Sequence, residues 1–284
     1  MRSIAKLMKD WQFTGPDGVT AAVALPHTWN AVDGQDGGND YWRGTCTYRT
    51  SFAAPVFDPA QQQVWLQFEG VNSSAAVLLN GQQLCTHDGG YSTFRAEITE
   101  LLQAENQLTV QVDNSVNDRV YPQKADFTFY GGIYRDVSLL VVNKNHIALG
   151  HFGDTGVKIT PDLKEGSADI QVETLVEGEG TVVVELLDAE GSTVAKGEGA
   201  KASLHLDAPH LWNGVKNPYL YTCIVRLVED GKPVDEVTTK VGLRSFSVDA
   251  KKGFFLNGKP YPLHGVSRHQ DRKGLGNAIT REMH

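Results

Sequence analysis

The sequence predicts an all-β chain: a jelly-roll (galactose-binding-like) β-sandwich, then an immunoglobulin-like β-sandwich, then a C-terminal stretch of different texture. Three observations lead there. Apolar residues fall in short alternating runs, the period of half-buried strands. Turn signals of the Asn-Gly kind punctuate those runs, and no amphipathic stretches of helical length intervene. With 284 residues the chain is long enough for two ordinary domains, each burying its own core.

The first domain spans 1–142. Its runs lie at 45–52, 64–68, 75–79, around Leu84, and at 107–112 and 137–141. Asn80-Gly81 is the dipeptide of a two-residue hairpin, while Asp88-Gly89-Gly90 and Gly131-Gly132 mark looser turns. Only 98–102 hints at a helical turn. Many short strands without intervening helices make a sandwich of jelly-roll type.

The second domain spans 143–246, with seven runs at 147–152, 156–160, 168–175, 181–187, 203–206, 220–228 and 234–241. Turns such as Asp188-Ala189-Glu190-Gly191 and Glu229-Asp230-Gly231 separate them at immunoglobulin-like spacing. It offers little chemistry. His146, His151, His205 and His210 are scattered, as surface or packing histidines are, and Trp212 and Tyr219 fit a sandwich end or an interdomain seam.

The third stretch, 247–284, contains GFFLNGKPYPLHGVSRHQD at 253–271. Asn257-Gly258 turns a hairpin that feeds a strand at 263–266. Ser267, Arg268, His269, Gln270 and Asp271 follow, polar groups at the C-terminal end of a strand, where barrel and α/β proteins place their sites. A solvated loop explains the same residues. Two loops of the first domain mix carboxylates and amides with aromatic rings: Asn39-Asp40-Tyr41-Trp42-Arg43 and Asp126-Phe127-Thr128-Phe129-Tyr130. Sugars ask for both, since hydroxyls need polar partners and C–H faces need rings. Core capping by the rings and turn capping by Asp40 or Asp126 account for them equally well.

Lysine and arginine number 26 against 34 acidic residues, a net charge of −8, and no basic run interleaves with aromatics. That argues against a nucleic-acid or membrane partner and for a neutral ligand. Cys46, Cys85 and Cys223 are few, odd in number and far apart, which fits reduced thiols in a cytoplasm rather than disulfides or a metal cluster. Residues 1–11 lack the apolar core of a signal peptide, and no stretch approaches a membrane span. The expectation is a cytoplasmic protein.

LNGKPYPLHGVSRHQD resembles the LNGKP…GVNRHE stretch by which enzymes of glycoside hydrolase family 2, the β-galactosidase group, enter their catalytic (β/α)8 barrel. PHTWN (26–30), YWRGTCTYRTSF (41–52), FEGV (68–71), LNG (79–81) and DFTFYGGIYRDVSLL (126–140) resemble the family's sugar-binding domain, in order and at compatible spacing. APHLWNGVKNPYLY (208–221) and VGLRSF (241–246) resemble its later links. The resemblance implies that 247–284 is a truncated remnant of the barrel's start. It implies that His269 reaches into the sugar pocket with Arg268 supporting it. Gln270 departs from the pattern, which has Glu there. Asp126 is implied to bind a sugar hydroxyl and, in some members, a sodium ion. Asn39 or Asp40 is implied as a second polar contact. No cofactor is identified from the residues themselves; Na or Mg in the full-length enzyme is what the family suggests.

The implied activity is retaining hydrolysis of terminal β-linked sugars, β-D-galactosides first. Such chemistry needs two carboxyl groups about 5 Å apart. In the family both are barrel glutamates beyond the span of this sequence, so no catalytic residue is assigned here, and Glu282 is the exposed first turn of a helix. The expectation is an N-terminal fragment, inactive alone, folding as two sandwiches with a loose tail. Its partner is a carbohydrate substrate, and a homo-oligomer is compatible with it. A β-glucuronidase or β-mannosidase of the same family, and a free-standing carbohydrate-binding protein, stand as alternatives.

Overall fold

The computed structural model describes residues 1–33, 41–122, 125 and 127–284. They form two compact units. Ser3–Val141 with Arg268–His284 makes one, the first sandwich; Val142–Ser267 with Met1–Arg2 makes the other, the second sandwich. The described residues are all-β, and none of their helices is long and apolar enough to cross a membrane.

In the first sandwich a six-stranded sheet runs in the order Thr20–Val23, Trp11–Thr14, Thr45–Ala53, Glu105–Asp113, Ser74–Leu79, Gln82–Asp88. Its central pair is antiparallel over nine residues, from Glu105 opposite Ala53 to Asp113 opposite Thr45. The facing sheet orders Ser3–Lys6, Val137–Asn143, Gln62–Phe68, Phe94–Glu97. Alternation does the sorting: Thr45–Ala53 buries Cys46, Tyr48, Thr50 and Phe52 and exposes Thr45, Arg49 and Ser51. Trp11, Leu66, Phe68, Leu79 and Ile133 fill the space between the sheets, and the Trp11 indole N–H donates to Leu7 O at 2.9 Å. Asn80 and Gly81 both take positive φ, +52° and +82°, as the hairpin turn requires.

The second sandwich pairs a three-stranded sheet (Val157–Lys164, Ser167–Thr174, Lys201–Asp207) with a four-stranded one (Thr193–Glu198, Thr181–Leu187, Tyr221–Glu229, Lys232–Val241). Its core is aliphatic: Ile170, Val172, Val184, Leu186, Val225 and Leu227, with the free thiol of Cys223 among them. Asp235 is fully buried there. It accepts from Arg2 Nε at 2.7 Å, Arg2 Nη2 at 2.5 Å and the Ile147 amide at 2.8 Å. Tyr219 stacks on His210 at 3.9 Å and packs against the core, while the Arg244 guanidinium lies 4.7 Å over Trp212.

Five strands lie where the sequence pattern signalled none: Ser3–Lys6, Trp11–Thr14, Thr20–Val23, Phe94–Glu97 and Thr193–Glu198. Each is short, and Ser3–Lys6 is exposed at every position, so its pairing with Val137–Asn143 defines it rather than any local period. The helical turn hinted at 98–102 is a 3₁₀ turn, Thr99–Leu101.

The stretch after residue 246 departs from the expectations in three ways. Phe246–Asp249, Gly253–Leu256 and Lys259–Pro260 close a small antiparallel sheet around the Asn257-Gly258 turn. The strand expected at 263–266 is not formed: Leu263 and Val266 are exposed, and no neighbouring strand pairs with them among the described residues. The tail is only half loose. Residues 262–274 are exposed, but Gly276 and Ala278 are buried in the first sandwich unit, and the expected helix start is a 3₁₀ turn, Arg281–Met283.

Candidate functional site

The loop 127–132 has no regular ladder to hold it, so side chains must satisfy its backbone. Three buried asparagines do this. Asn30 uses its whole hydrogen-bonding capacity: Nδ2 donates to Asp33 Oδ2 and Trp42 O, both at 2.9 Å, and Oδ1 accepts from the Gly131 amide at 2.8 Å and Asn114 Nδ2 at 3.2 Å. Asn114 donates further to Phe129 O at 3.0 Å and accepts from the Gly44 amide at 2.9 Å. Asn72 Nδ2 donates to Tyr130 O at 2.6 Å, and the Thr28 hydroxyl to Gly131 O at 2.7 Å. Each partner left unpaired at such depth costs about 1–3 kcal/mol, so the saturated set fixes the loop in one conformation. Gly131 and Gly132 are there because space is lacking. A Cβ on Gly131 would fall on the Trp29 ring, and one on Gly132 on the backbone at His27.

Onto this loop comes the C-terminal segment. The Tyr130 hydroxyl donates to Asp271 Oδ2 at 2.8 Å, and the His269 ring meets the Phe127 ring edge-on with centroids 6.0 Å apart. Phe127 in turn packs on Phe129 at 5.0 Å. Gly276, at φ +54°, crosses the Tyr130 ring where a Cβ would stand 2.6 Å from Cε1. Arg268 donates from Nη2 to His284 Nδ1 at 3.1 Å. His269 and Arg268 are both exposed, so their polar atoms face solvent.

Arg43 borders the same loop. Its guanidinium lies 5.4 Å over the Phe129 ring and 5.8 Å over the Tyr41 ring, with Nε donating to Asn114 O at 2.7 Å. A small cleft of about 10 Å³, room for about one water, opens beside Arg43, Asn72, Tyr121 and Phe129. Behind the loop, His27 Nδ1 is 2.7 Å from the Tyr48 hydroxyl. Burial lowers the His27 pKa to about 4 and pushes the Tyr48 phenol far up, so both are neutral at neutral pH and form scaffold rather than acid or base.

The chemistry available is therefore a wall: an exposed imidazole and guanidinium on one segment, aromatic rings and a half-buried cation on the other. Asp126, Asn39 and Asp40 lie outside the described residues. The sodium ion implied for Asp126 thus cannot be matched to ligands, and among the described residues no group of three or more His, Cys, Asp or Glu could hold a metal. The sequence reading missed the Asn30–Asn114 pair, Asn72, and the Tyr130–Asp271 bond. Its one available signal was that each asparagine closes a quoted or adjacent apolar motif, at PHTWN, FEGVN and VQVDN.

Comparison with known proteins fits this geometry. Residues 37–173 match the glycosyl hydrolase 2 galactose-binding domain-like family, and residues 151–244 match glycosyl hydrolases family 2. A β-glucuronidase of Bacteroides fragilis is 36% identical over 301 residues, covering 98% of this chain and 43% of that protein. The crystal structure of an FMN-binding β-glucuronidase from Facaelibacterium prausnitzii L2-6 superposes with a TM-score of 0.95 at 38% identity, covering 100% of this chain and 46% of that one. A β-galactosidase of Thermoanaerobacter pseudethanolicus is 29% identical over 274 residues, 90% of this chain and 36% of that protein. The chain spans less than half the length of these relatives, and those of higher identity are named for glucuronides rather than galactosides. Two sandwiches in this order, each matched to the same family, place the chain: it belongs to glycosyl hydrolases family 2.

Proposed function

We propose that this chain is the substrate-positioning N-terminal part of a retaining glycoside hydrolase that releases terminal β-D-glucuronic acid. The observation that carries the positioning role is the meeting of the 127–130 loop with the 268–271 segment, through the Phe127–His269 ring contact and the Tyr130–Asp271 hydrogen bond. The choice of sugar rests on the names of the relatives at 35–36% identity. In this reading the imidazole of His269 and the carboxylate of Asp126 hold non-reacting hydroxyls, Arg268 supports His269, and Asn39 or Asp40 adds a contact. The two carboxyl groups of the double displacement come from outside residues 1–284. Hydroxyl contacts of this kind accelerate the reaction when they tighten as the ring distorts.

The test uses enzyme expressed from its complete reading frame, assayed on 4-nitrophenyl β-D-glucuronide, β-D-galactoside and β-D-mannoside. Preference for the glucuronide, with kcat/KM lowered roughly 10–100-fold by His269→Ala, supports the reading. Preference for the galactoside would replace it with the second reading, which the β-galactosidase relatives at 29–31% identity favour. No activity on any of the three would remove the enzyme reading altogether.

A further inference from the structure

The outward face of the six-stranded sheet carries a groove of about 370 Å³, within the ~300–1,000 Å³ range of small-molecule sites. Register explains its lining. Thr45, Asp113, Ser74 and Asp88 lie opposite one another on four successive strands, and Gln111, Ala76 and Thr86 form the next row on the same face. Ala76 at the centre of the second row is the depression: a methyl group stands between an amide and a hydroxyl that both reach further out. Arg119, from the loop after Asp113, makes the wall, held by its Nε bond to Asp88 Oδ2 at 3.0 Å and by its amide bond to Asn117 Oδ1 at 2.9 Å.

The groove's charges are partly spoken for. Asp88 is answered by Arg119 and by the Ser74 hydroxyl at 2.6 Å, which hold its carboxyl below the usual range and keep it an acceptor. Asp113 Oδ1 accepts the Ser115 amide at 2.7 Å. Its Oδ2, the Gln111 amide and the Thr45 and Thr86 hydroxyls have no protein partner among the described residues. What remains is a cluster of hydroxyl, amide and carboxylate groups around an uncharged floor, with one negative charge in excess. That set matches vicinal hydroxyls, which donate to carboxylates and exchange bonds with amides, and it disfavours an anion.

We propose that this groove is a second carbohydrate site, taking a neutral, hydroxyl-rich sugar unit on the flat of the sheet. It stands independently of the glucuronide reading, whose ligand is anionic and whose residues are elsewhere. With no aromatic platform in the lining, binding is weak, with Kd on the order of 1–10 mM.

Amide ¹H–¹⁵N shifts of this chain, titrated with cellobiose and separately with sodium D-glucuronate, test it. Cellobiose should give saturable shifts confined to Ser74, Ala76, Thr86, Gln111 and Arg119, and glucuronate none there. Ala76→Phe, which fills the floor, should weaken binding about tenfold or more. Arg119→Ala, which removes the wall without touching the sheet, should weaken it by about threefold, and retained spectral dispersion shows that each variant is folded. Absence of saturable shifts overturns the proposal, as do shifts undiminished in both variants. Glucuronate binding there as tightly as cellobiose overturns the charge argument on which the choice of a neutral ligand depends.

Discussion

The two sandwiches bury different materials. The first hides Asn30, Asn72, Asn106 and Asn114 with Thr28 and Ser73, while the second hides an aliphatic core with Asp235, His146 and Thr174 as its buried polar groups. The difference follows from what each must hold. Strands in a sheet satisfy one another's backbone, so a sandwich of strands and tight turns needs few polar side chains inside. The first sandwich also holds the 127–132 loop, whose carbonyls and amides find partners only in asparagine side chains. Interior polarity thus marks the region that carries irregular backbone, and that region is the candidate site.

Substitutions can break this comparison. The largest effect is expected in the second sandwich. Asp235→Ala removes one partner of a buried ion pair and leaves the Ile147 amide unpaired, a loss of about 3–5 kcal/mol. Amide exchange should show it in residues 142–267. Protection unchanged there would mean that the pair is ornamental. Next comes Asn114→Ala, which strands the Gly44 amide and Phe129 carbonyl for about 2–4 kcal/mol. Its mark is lost protection around Phe129 and Tyr130, and a loss below about 0.5 kcal/mol would refute the scaffold role of the network.

Acid separates the sandwiches as well. Burial lowers the pKa of His27 from 6.5 to about 4 and that of His87 below its usual value. The unfolded chain therefore binds protons more readily. Stability from these groups is full above pH 6.5 and falls as pH drops toward about 4, by about 2–3 kcal/mol for His27. His205 in the second sandwich goes the other way. Hydrogen bonds from Asp169 and Asp207 raise its pKa, so its small contribution is full below 6.5 and is lost as pH rises through the raised value. Between pH 7 and 5 the first sandwich should lose exchange protection while the second holds or gains. Parallel loss in both would contradict these assignments. Smallest is Tyr130→Phe, which forfeits about 0.5–1.5 kcal/mol and should deprotect 271–278 while leaving the sheets intact.

Much of this was legible in the sequence because it is written in period two. Thr181–Leu187 is found where alternation places it, and Asn80-Gly81 and Asn257-Gly258 turn as their dipeptides demand. Ser3–Lys6 was illegible since its evidence lies 130-odd residues away in Val137–Asn143. Thr193–Glu198 carries Lys196 and Gly197 on an outer strand, where partner and position outweigh propensity. Asn30, Asn72 and Asn114 were read past because asparagine after an apolar run ordinarily signals a turn. Only the neighbouring backbone reveals them as structural. Arg268 and His269 came from resemblance, and what the residues alone could say of them was that they follow a strand-like run.

Ser3–Lys6 lies antiparallel beside the strand that closes the first sandwich, with Ser3 opposite Val141. Neighbouring strands are about 5 Å apart, so this module begins and stops at one point on its surface. A piece of protein with touching ends can be spliced into a surface loop of an unrelated host without prising the host open. It can equally be re-cut at the Asn80-Gly81 bend with its old termini joined, leaving the order of strands in space untouched.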